Sequence, residues 1–430
     1  MDIENDVVLL SINIKPSLLM IVRFILSTGV LLFLYAYSSV GLCVYSAIYP
    51  AIGWDDIQGM DVYADESTLH AVLVGRQKDS DKLGVAYLLS HDYGVTWTKP
   101  VTVNRKQDGA VVSRRGNDAQ IAAAGRRVVV AFNHAVELPN AGPMIIAYSP
   151  DGGASWQQGD NPAVGDITHN QSYLDLVADK AGNFHLVWLD DREENGNTQG
   201  LRYARSTDGG RHWRGDITLE PKACTCCWNR LAVLPDQSIA ALYRGDDPHD
   251  MRLVRVSADG KSGRSPTAVG DFGWRFTGCP HCGGGIASAP GKHGPLHSVV
   301  WSGKDNATGL FYLTSDDLGG HWSAPLRISD GRSRESDIAV LRNGQIGVVF
   351  VGPASDGDGL QFISSTDHGK SWSPPLRINP ANSVADHPRI LATPAGFRVF
   401  WTEKPPTGGK VWAMYFVTNP TNLRENKSKT

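Results

Sequence analysis

A chain of 430 residues with 41% hydrophobic side chains can bury a large core, either in one repeat domain or in about two or three ordinary ones. Its formal net charge of -3, with 20% charged residues, offers no basic field for nucleic acid and no acidic solvating tail, which excludes both. Forty-six glycines and twelve tryptophans, without a long helix-period segment, predict many short strands joined by turns.

The first 47 residues stand apart. Phe24 to Ala36 is almost continuously apolar and is followed by small residues, the pattern of an export signal. Asp2, Glu4 and Asp6 occupy the place of the usual positive segment, while Lys15 and Arg23 come late; a start at Met20 would restore the usual order. Residues 1–47 are read as a signal peptide cleaved between Ser38 and Ala47, with an uncleaved membrane anchor as the alternative. The expected location is periplasmic or extracellular, and any membrane contact runs through this segment alone.

From residue 48 to 418 one pattern recurs, and it predicts a single domain, followed by a polar tail over 419–430. Each unit has an extended segment, a strongly apolar strand, a polar loop and a second apolar strand. The apolar middle strand returns at Leu69–Val74, Arg127–Phe132, Phe184–Trp188, Ser238–Tyr243, His297–Trp301, Gln345–Phe350 and Gly396–Trp401. Five units then carry S-x-D-x-G-x-x-W, at Ser90–Trp97, Ser149–Trp156, Ser206–Trp213, Ser315–Trp322 and Ser365–Trp372. The fourth unit keeps only Ser257-Ala258-Asp259-Gly260, and the seventh, ending Val411–Phe416, has none. Ser and Asp oxygens can take up the N-H groups of a tight turn, Gly can adopt positive φ, and Trp can fold over a sheet face.

Repeats of about 50 to 60 residues, each of four strands, predict an all-β propeller. The count is seven blades, with six as the alternative; residues near Ile48 to Asp55 would supply the missing outer strand of the seventh. The repeated octapeptide resembles the Asp-box, or BNR repeat, of the sialidase superfamily. The chain is similar to uncharacterised secreted bacterial sialidase-like proteins with paired cysteine segments.

Loops entering the innermost strands of a propeller form one rim, where residues of every blade converge. Those loops hold Arg114, Arg115, Asn117 and Asp118, then His169, Asn170 and Tyr173, then Cys224-Thr225-Cys226-Cys227-Trp228-Asn229-Arg230. Cys279-Pro280-His281-Cys282 follows, then Arg334, Glu335 and Asp337, and finally Asp386, His387 and Arg389. Five of the six cysteines lie in two of these segments. Thiolates with a nearby imidazole suit zinc or copper, so Cys224, Cys226, Cys227, Cys279, His281 and Cys282 are candidate metal ligands. His169, His249 or His387 would complete a shell, and Met251 would favour copper. Two disulfides between the segments are the alternative, with one thiol left over.

The sialidase resemblance implies an arginine clamp on a carboxylate, an Asp acid/base, and a Tyr nucleophile activated by a Glu. Arg115, Arg230 and Arg389 are the candidate clamp, with Asp118 and Glu335 as candidate acid/base groups. The Phe/Tyr-Arg-Ile-Pro signature is absent, His387-Pro388-Arg389-Ile390 holds similar letters in another order, and no Tyr and Glu pair is assignable. Rim salt bridges to Asp118, Glu335 and Asp386 are the alternative role for these arginines. The expected function is an exported propeller whose rim binds a transition metal or a small anionic ligand, a small molecule or glycan at the axis. An exo-sialidase or other glycoside hydrolase, and a protein-interaction scaffold, are the alternatives.

Overall fold

The computed structural model describes residues 47–65, 68–77, 80–135, 141–165, 170–192, 198–261, 263–354 and 357–418. Residues 1–46, where the signal peptide is expected, His169 and the polar tail lie outside the described residues. Seven antiparallel sheets are arranged as the blades of a propeller, so the count is seven and not six. The first blade is typical, with Trp54–Asp65, Thr68–Gln77, Leu83–Ser90 and Val101–Thr102 side by side. The other innermost strands are Gln120–Ala124, Gln171–Ala178, Arg230–Val233, Gly285–Ser288, Arg334–Val340 and Val384–Thr393. Each contacts the next, and the last contacts the first, so the ring is closed. The seventh sheet has three strands of its own. Ile48 completes it by pairing with Met414 through two backbone hydrogen bonds of 2.8 and 2.9 Å. The beginning of the domain thus supplies the outer pairing through the single bridge at Ile48, whereas Trp54 and Asp55, at the end of the segment expected there, open the innermost strand of the first blade.

The middle strands are apolar throughout because both of their faces are covered. Phe184–Asp190 is buried at every position. Seven apolar clusters hold the ring together, and each lies between two neighbouring blades. At the closure Phe400, Trp412 and Met414 pack on Ile57, Leu73 and Leu88. Burying one such side chain contributes about 1.5–3 kcal/mol, so the blade interfaces are the main source of stability.

The five octapeptides are turns between the third and fourth strands. In the first, Ser90 Oγ accepts from Gly94 N at 2.8 Å, and Asp92 Oδ1 accepts from Thr96 N at 2.8 Å. The other four repeat this pattern, from Ser149 and Asp151 to Ser365 and Asp367. Hydrogen bonds to the ionised form hold Asp151 and Asp367 at about 2. The turn also clamps one blade to the one before it. Gly153 sits on the Tyr87 ring, Gly210 on Val129, Gly319 on Leu253 and Gly369 on Tyr312. Three of the buried histidines are part of the same scaffold, with Nδ1 of His70, His185 and His297 at 2.8, 2.6 and 2.6 Å from the hydroxyls of Tyr87, Tyr203 and Tyr312.

Two adjacent glycines separate backbone strain from packing. Both have positive φ, 80° at Gly152 and 90° at Gly153, but only a Cβ at Gly153 would fall on the Tyr87 ring. Gly152→Ala should cost about 1–2 kcal/mol, the left-handed backbone penalty alone. Gly153→Ala should cost about 1–3 kcal/mol more from overpacking. Urea denaturation of the two variants checks this; equal losses would refute the clamp.

Candidate functional site

The inner strands bring one register position of every blade to the axis. The residues paired with Val72, Ala131, Val187, Leu242, Val299, Val349 and Phe400 are Asp61, Gln120, Asp175, Arg230, Gly285, Asp337 and Arg389. They form a polar plug across the channel. Arg389 Nε lies 2.7 Å from Asp61 Oδ1, and its Nη2 lies 3.1 Å from Gln120 Oε1 and 3.8 Å from Asp175 Oδ1. Arg230 Nη1 is 3.4 Å from the same Asp175 oxygen. The three aspartates also accept backbone N-H groups of the next blade, from Ile121 at 3.0 Å, Leu231 at 2.5 Å and Ile390 at 3.0 Å. Burial opposes the charge of Arg389, but Asp61, Asp337 and Asp175 outweigh it and hold its pKa above the ordinary arginine value. Burial pushes Asp175 up to about 6 even beside Arg230 and Arg389.

Two residues earlier in each strand stand Gly59, Asp118, Tyr173, Trp228, Gly283, Glu335 and His387. The pairing register shifts between this position and the plug in the third, sixth and seventh blades. Tyr173, Glu335 and His387 accordingly have φ of 52°, 50° and 55°, a left-handed conformation that side chains of this size rarely adopt. Asp118, Trp228, Glu335 and His387 line a pocket above the plug, together with Arg115, Arg230 and Arg389. All five residues named from the sequence as clamp or acid/base candidates therefore face one pocket.

Their environment separates them electrically. Asp118 is buried, accepts from Ser113 Oγ at 3.0 Å, and is pushed up by burial to about 8. Glu335 is pushed up by burial to about 7, although Arg115 Nε lies 2.6 Å from its Oε1. Burial lowers His387 to about 4; its Nδ1 lies 2.9 Å from Thr402 Oγ1, and its Nε2 faces Asp118 Oδ1 at 3.4 Å. Burial thus drives Asp118 and Glu335 toward their neutral forms and disfavours the charged form of His387, opposite three arginines. Arg230 Nε and His387 Nε2 are buried without a hydrogen-bond partner. The salt-bridge role of the arginines is also realised, but with Asp61 and Asp175 besides Glu335; Asp386 instead pairs with Lys410 at 3.2 Å.

The cysteine segments form the wall beside this pocket. Cys224 is bonded to Cys227 and Cys226 to Cys279, while Cys282 is a buried free thiol whose pKa burial raises. Cys224, Cys226 and Cys227 form one group of donors within 4.8 Å of one another, and Cys226, Cys279 and His281 form a second. Cys282 joins neither group. His249 packs edge-on against Trp274, Met251 lies in the core between the fourth and fifth blades, and His387 belongs to the pocket. None of the three extends the cysteine groups. Trp228, next to Cys227, stands between Gly116 and Gly283, where a Cβ on either would strike the indole.

No family model matches the chain, and no curated protein does. Solved structures match over most of its length. A polysaccharide lyase of family PL25, an ulvan lyase bound to -[GlcA(1-4)Rha3S]-, is 13% identical, covers 87% of this chain and 99% of its own, and has a TM-score of 0.56. YCF48 bound to D1 peptide is 17% identical over 88% and 96%, with a TM-score of 0.52. The NanB sialidase of Streptococcus pneumoniae is 11% identical over 88% and 70%, at 0.49. At this identity the likeness to the lyase and to YCF48 is one of fold alone.

The raised pKa of Asp118 has a consequence for stability. Its folded value is about 8 against an ordinary 3.8, so the folded chain holds a proton that the unfolded chain releases. The associated stability is fully present below pH 4 and is lost as pH rises toward 8. Asp118→Asn cannot ionise and should lack this loss, so its thermal midpoint should gain on the wild type between pH 5 and pH 8.5. Scanning calorimetry across that range checks it; a constant difference would contradict the assignment.

Proposed function

We propose that the axial pocket binds a small anionic ligand, a carboxylate-bearing sugar of the uronic or sialic acid class, and presents acid/base groups to it. The observation that carries this reading is the convergence of Arg115, Arg230 and Arg389 on a pocket whose own carboxyl groups are driven toward neutrality. Arg230 and Arg389 are balanced from below by Asp61 and Asp175, and the buried, unpartnered Arg230 Nε has a donor to give. Glu335 at about 7 and Asp118 at about 8 have values suited to proton transfer near neutral pH. The lyase of the same fold is bound to a glucuronate-containing unit, a ligand of this class. No tyrosine is among the described residues that line the pocket. Two disulfides fit an exported protein, and among the described residues no helix is long and apolar enough to cross a membrane.

Calorimetric titration with glucuronate, N-acetylneuraminate and glucose tests the reading. The acids should bind and glucose should not. Arg115→Met or Arg230→Met should each weaken binding about ten- to a hundredfold, the loss of a charge-assisted hydrogen bond of about 1.5–3 kcal/mol. Affinity should rise as pH falls from 8.5 to 6, because Asp118 and Glu335 lose their negative charge across that range. Equal binding of glucose and glucuronate, or binding of neither acid, would overturn it. Release of fluorophore from a sialoside by the wild type and not by Arg230→Met would make the site a glycosidase.

A further inference from the structure

We infer that the cysteine group beside the pocket is a soft-metal site in its reduced form, so that one ion can replace the Cys226–Cys279 disulfide as the staple between the fourth and fifth blade entries. The inference does not depend on what the axial pocket binds.

The sulfurs are already gathered. Cys-Thr-Cys-Cys places Cys224, Cys226 and Cys227 within 4.8 Å of one another, and Cys226 is shared with the second group, Cys279 and His281. The non-bonded sulfurs of Cys224 and Cys226 are 3.8 Å apart. A tetrahedral zinc-thiolate centre with Zn-S bonds of about 2.3 Å has sulfurs separated by about 3.8 Å, so this pair stands at the edge length such a centre requires. Opening the two bonded pairs to that edge is within reach of side-chain rotation, since their Cα atoms are 5.7 and 6.1 Å apart, and Cys279, grouped with Cys226 but not with Cys224 and Cys227, must also swing toward those two sulfurs. The donor set is four sulfurs, Cys224, Cys226, Cys227 and Cys279, with the His281 imidazole beside them. It suits a closed-shell thiophilic cation such as Zn(II) or Cd(II).

The surroundings fit an ion-binding role. Cys224, Cys226 and Cys227 are buried against Tyr173, while Cys279 and His281 are exposed and leave an entry path. Four thiolates around a divalent ion carry two net negative charges. Arg115 donates to the His281 carbonyl at 3.3 Å and lies close to that charge. The decisive point is connectivity: the Cys226–Cys279 bridge ties the 224–227 segment to the fifth blade entry, and a four-sulfur centre would make the same tie.

The interconversion balances. Each bridge is cleaved by one phosphine, whose phosphorus is oxidised to the phosphine oxide with the oxygen of water, while the two sulfurs take up the two hydrogens as thiols. Two phosphines therefore yield four thiols, and binding of the cation displaces their protons.

Cadmium titration of the whole exported chain, reduced with a trialkylphosphine, tests the inference. One Cd(II) per chain is expected, with the ultraviolet charge-transfer absorbance of four thiolates, and none in the disulfide form. Cys279→Ser should weaken binding at least tenfold, whereas Cys282→Ser should leave stoichiometry and affinity unchanged. Reduced chain that loses its native tryptophan fluorescence and regains it with Cd(II) would also support the site. No uptake by the reduced protein, equal uptake by the oxidised protein, or equal loss in the Cys279 and Cys282 variants would overturn it.

Discussion

No blade of this protein can stand alone, because its middle strand is apolar on both faces. Leu69, Ala71 and Leu73 turn toward the seventh blade, while Val72 and Val74 turn toward the second. Every such strand needs two neighbours, and a row of blades satisfies that demand only by closing on itself. Closure falls to Ile48 and Met414, and the repeated turns add a second tie, each glycine resting on a side chain of the preceding blade. The turns are therefore joints between blades as well as hairpins within them. In the fourth blade the turn keeps Ser257, Asp259 and Gly260 but lacks the tryptophan, and this is the blade whose entry is held by disulfides.

Ring closure creates a problem at the axis. The innermost strand of each blade is an edge, with N-H groups that no further strand takes up. Asp61, Asp175 and Asp337 answer this by accepting from Ile121, Leu231 and Ile390 of the next blades. Those carboxylates are buried close together at the axis, where their mutual repulsion is strong. Arg389 and Arg230 neutralise them from the same register position. The arginines are thus required by the scaffold and also exposed in part to the pocket above it.

The seven middle strands, five turns and closing strand were legible because each is a local pattern of apolar periodicity or turn chemistry. The rim was legible as a list of entries, which is why Arg115, Asp118, Arg230, Glu335 and Arg389 were found. Asp61, Gln120 and Asp175 were missed because they lie inside apolar strands rather than in loops. Aligning each inner strand on its middle strand would have found them, since the seven plug residues share one register. Trp228 was legible only as part of the cysteine loop, because its place in the pocket wall depends on Gly116 and Gly283, from two other blades. The cysteines could not be assigned as bridges or ligands, because both states bring the same sulfurs together.

The position two residues before the plug is where the repeat departs most from regularity. A regular strand would send successive side chains to opposite faces, leaving this position and the plug on the same face and in competition for the narrow axis. The register shifts at Tyr173, Glu335 and His387 relieve that crowding by adding a residue to the strand, at the cost of a left-handed backbone of about 1–3 kcal/mol each. In the first and fifth blades glycine stands at the same position, and the space it leaves is filled from elsewhere: Asp118 reaches over Gly59 and Trp228 lies against Gly283. Small residues in two blades and strained large ones in others produce an asymmetric pocket from a nearly symmetric ring. Asp118 is buried because Gly59 has no side chain to hold it toward solvent, and burial is what moves its proton equilibrium toward neutral pH. The chemistry of the pocket thus comes from breaking the repeat at one layer while the layers above and below preserve it.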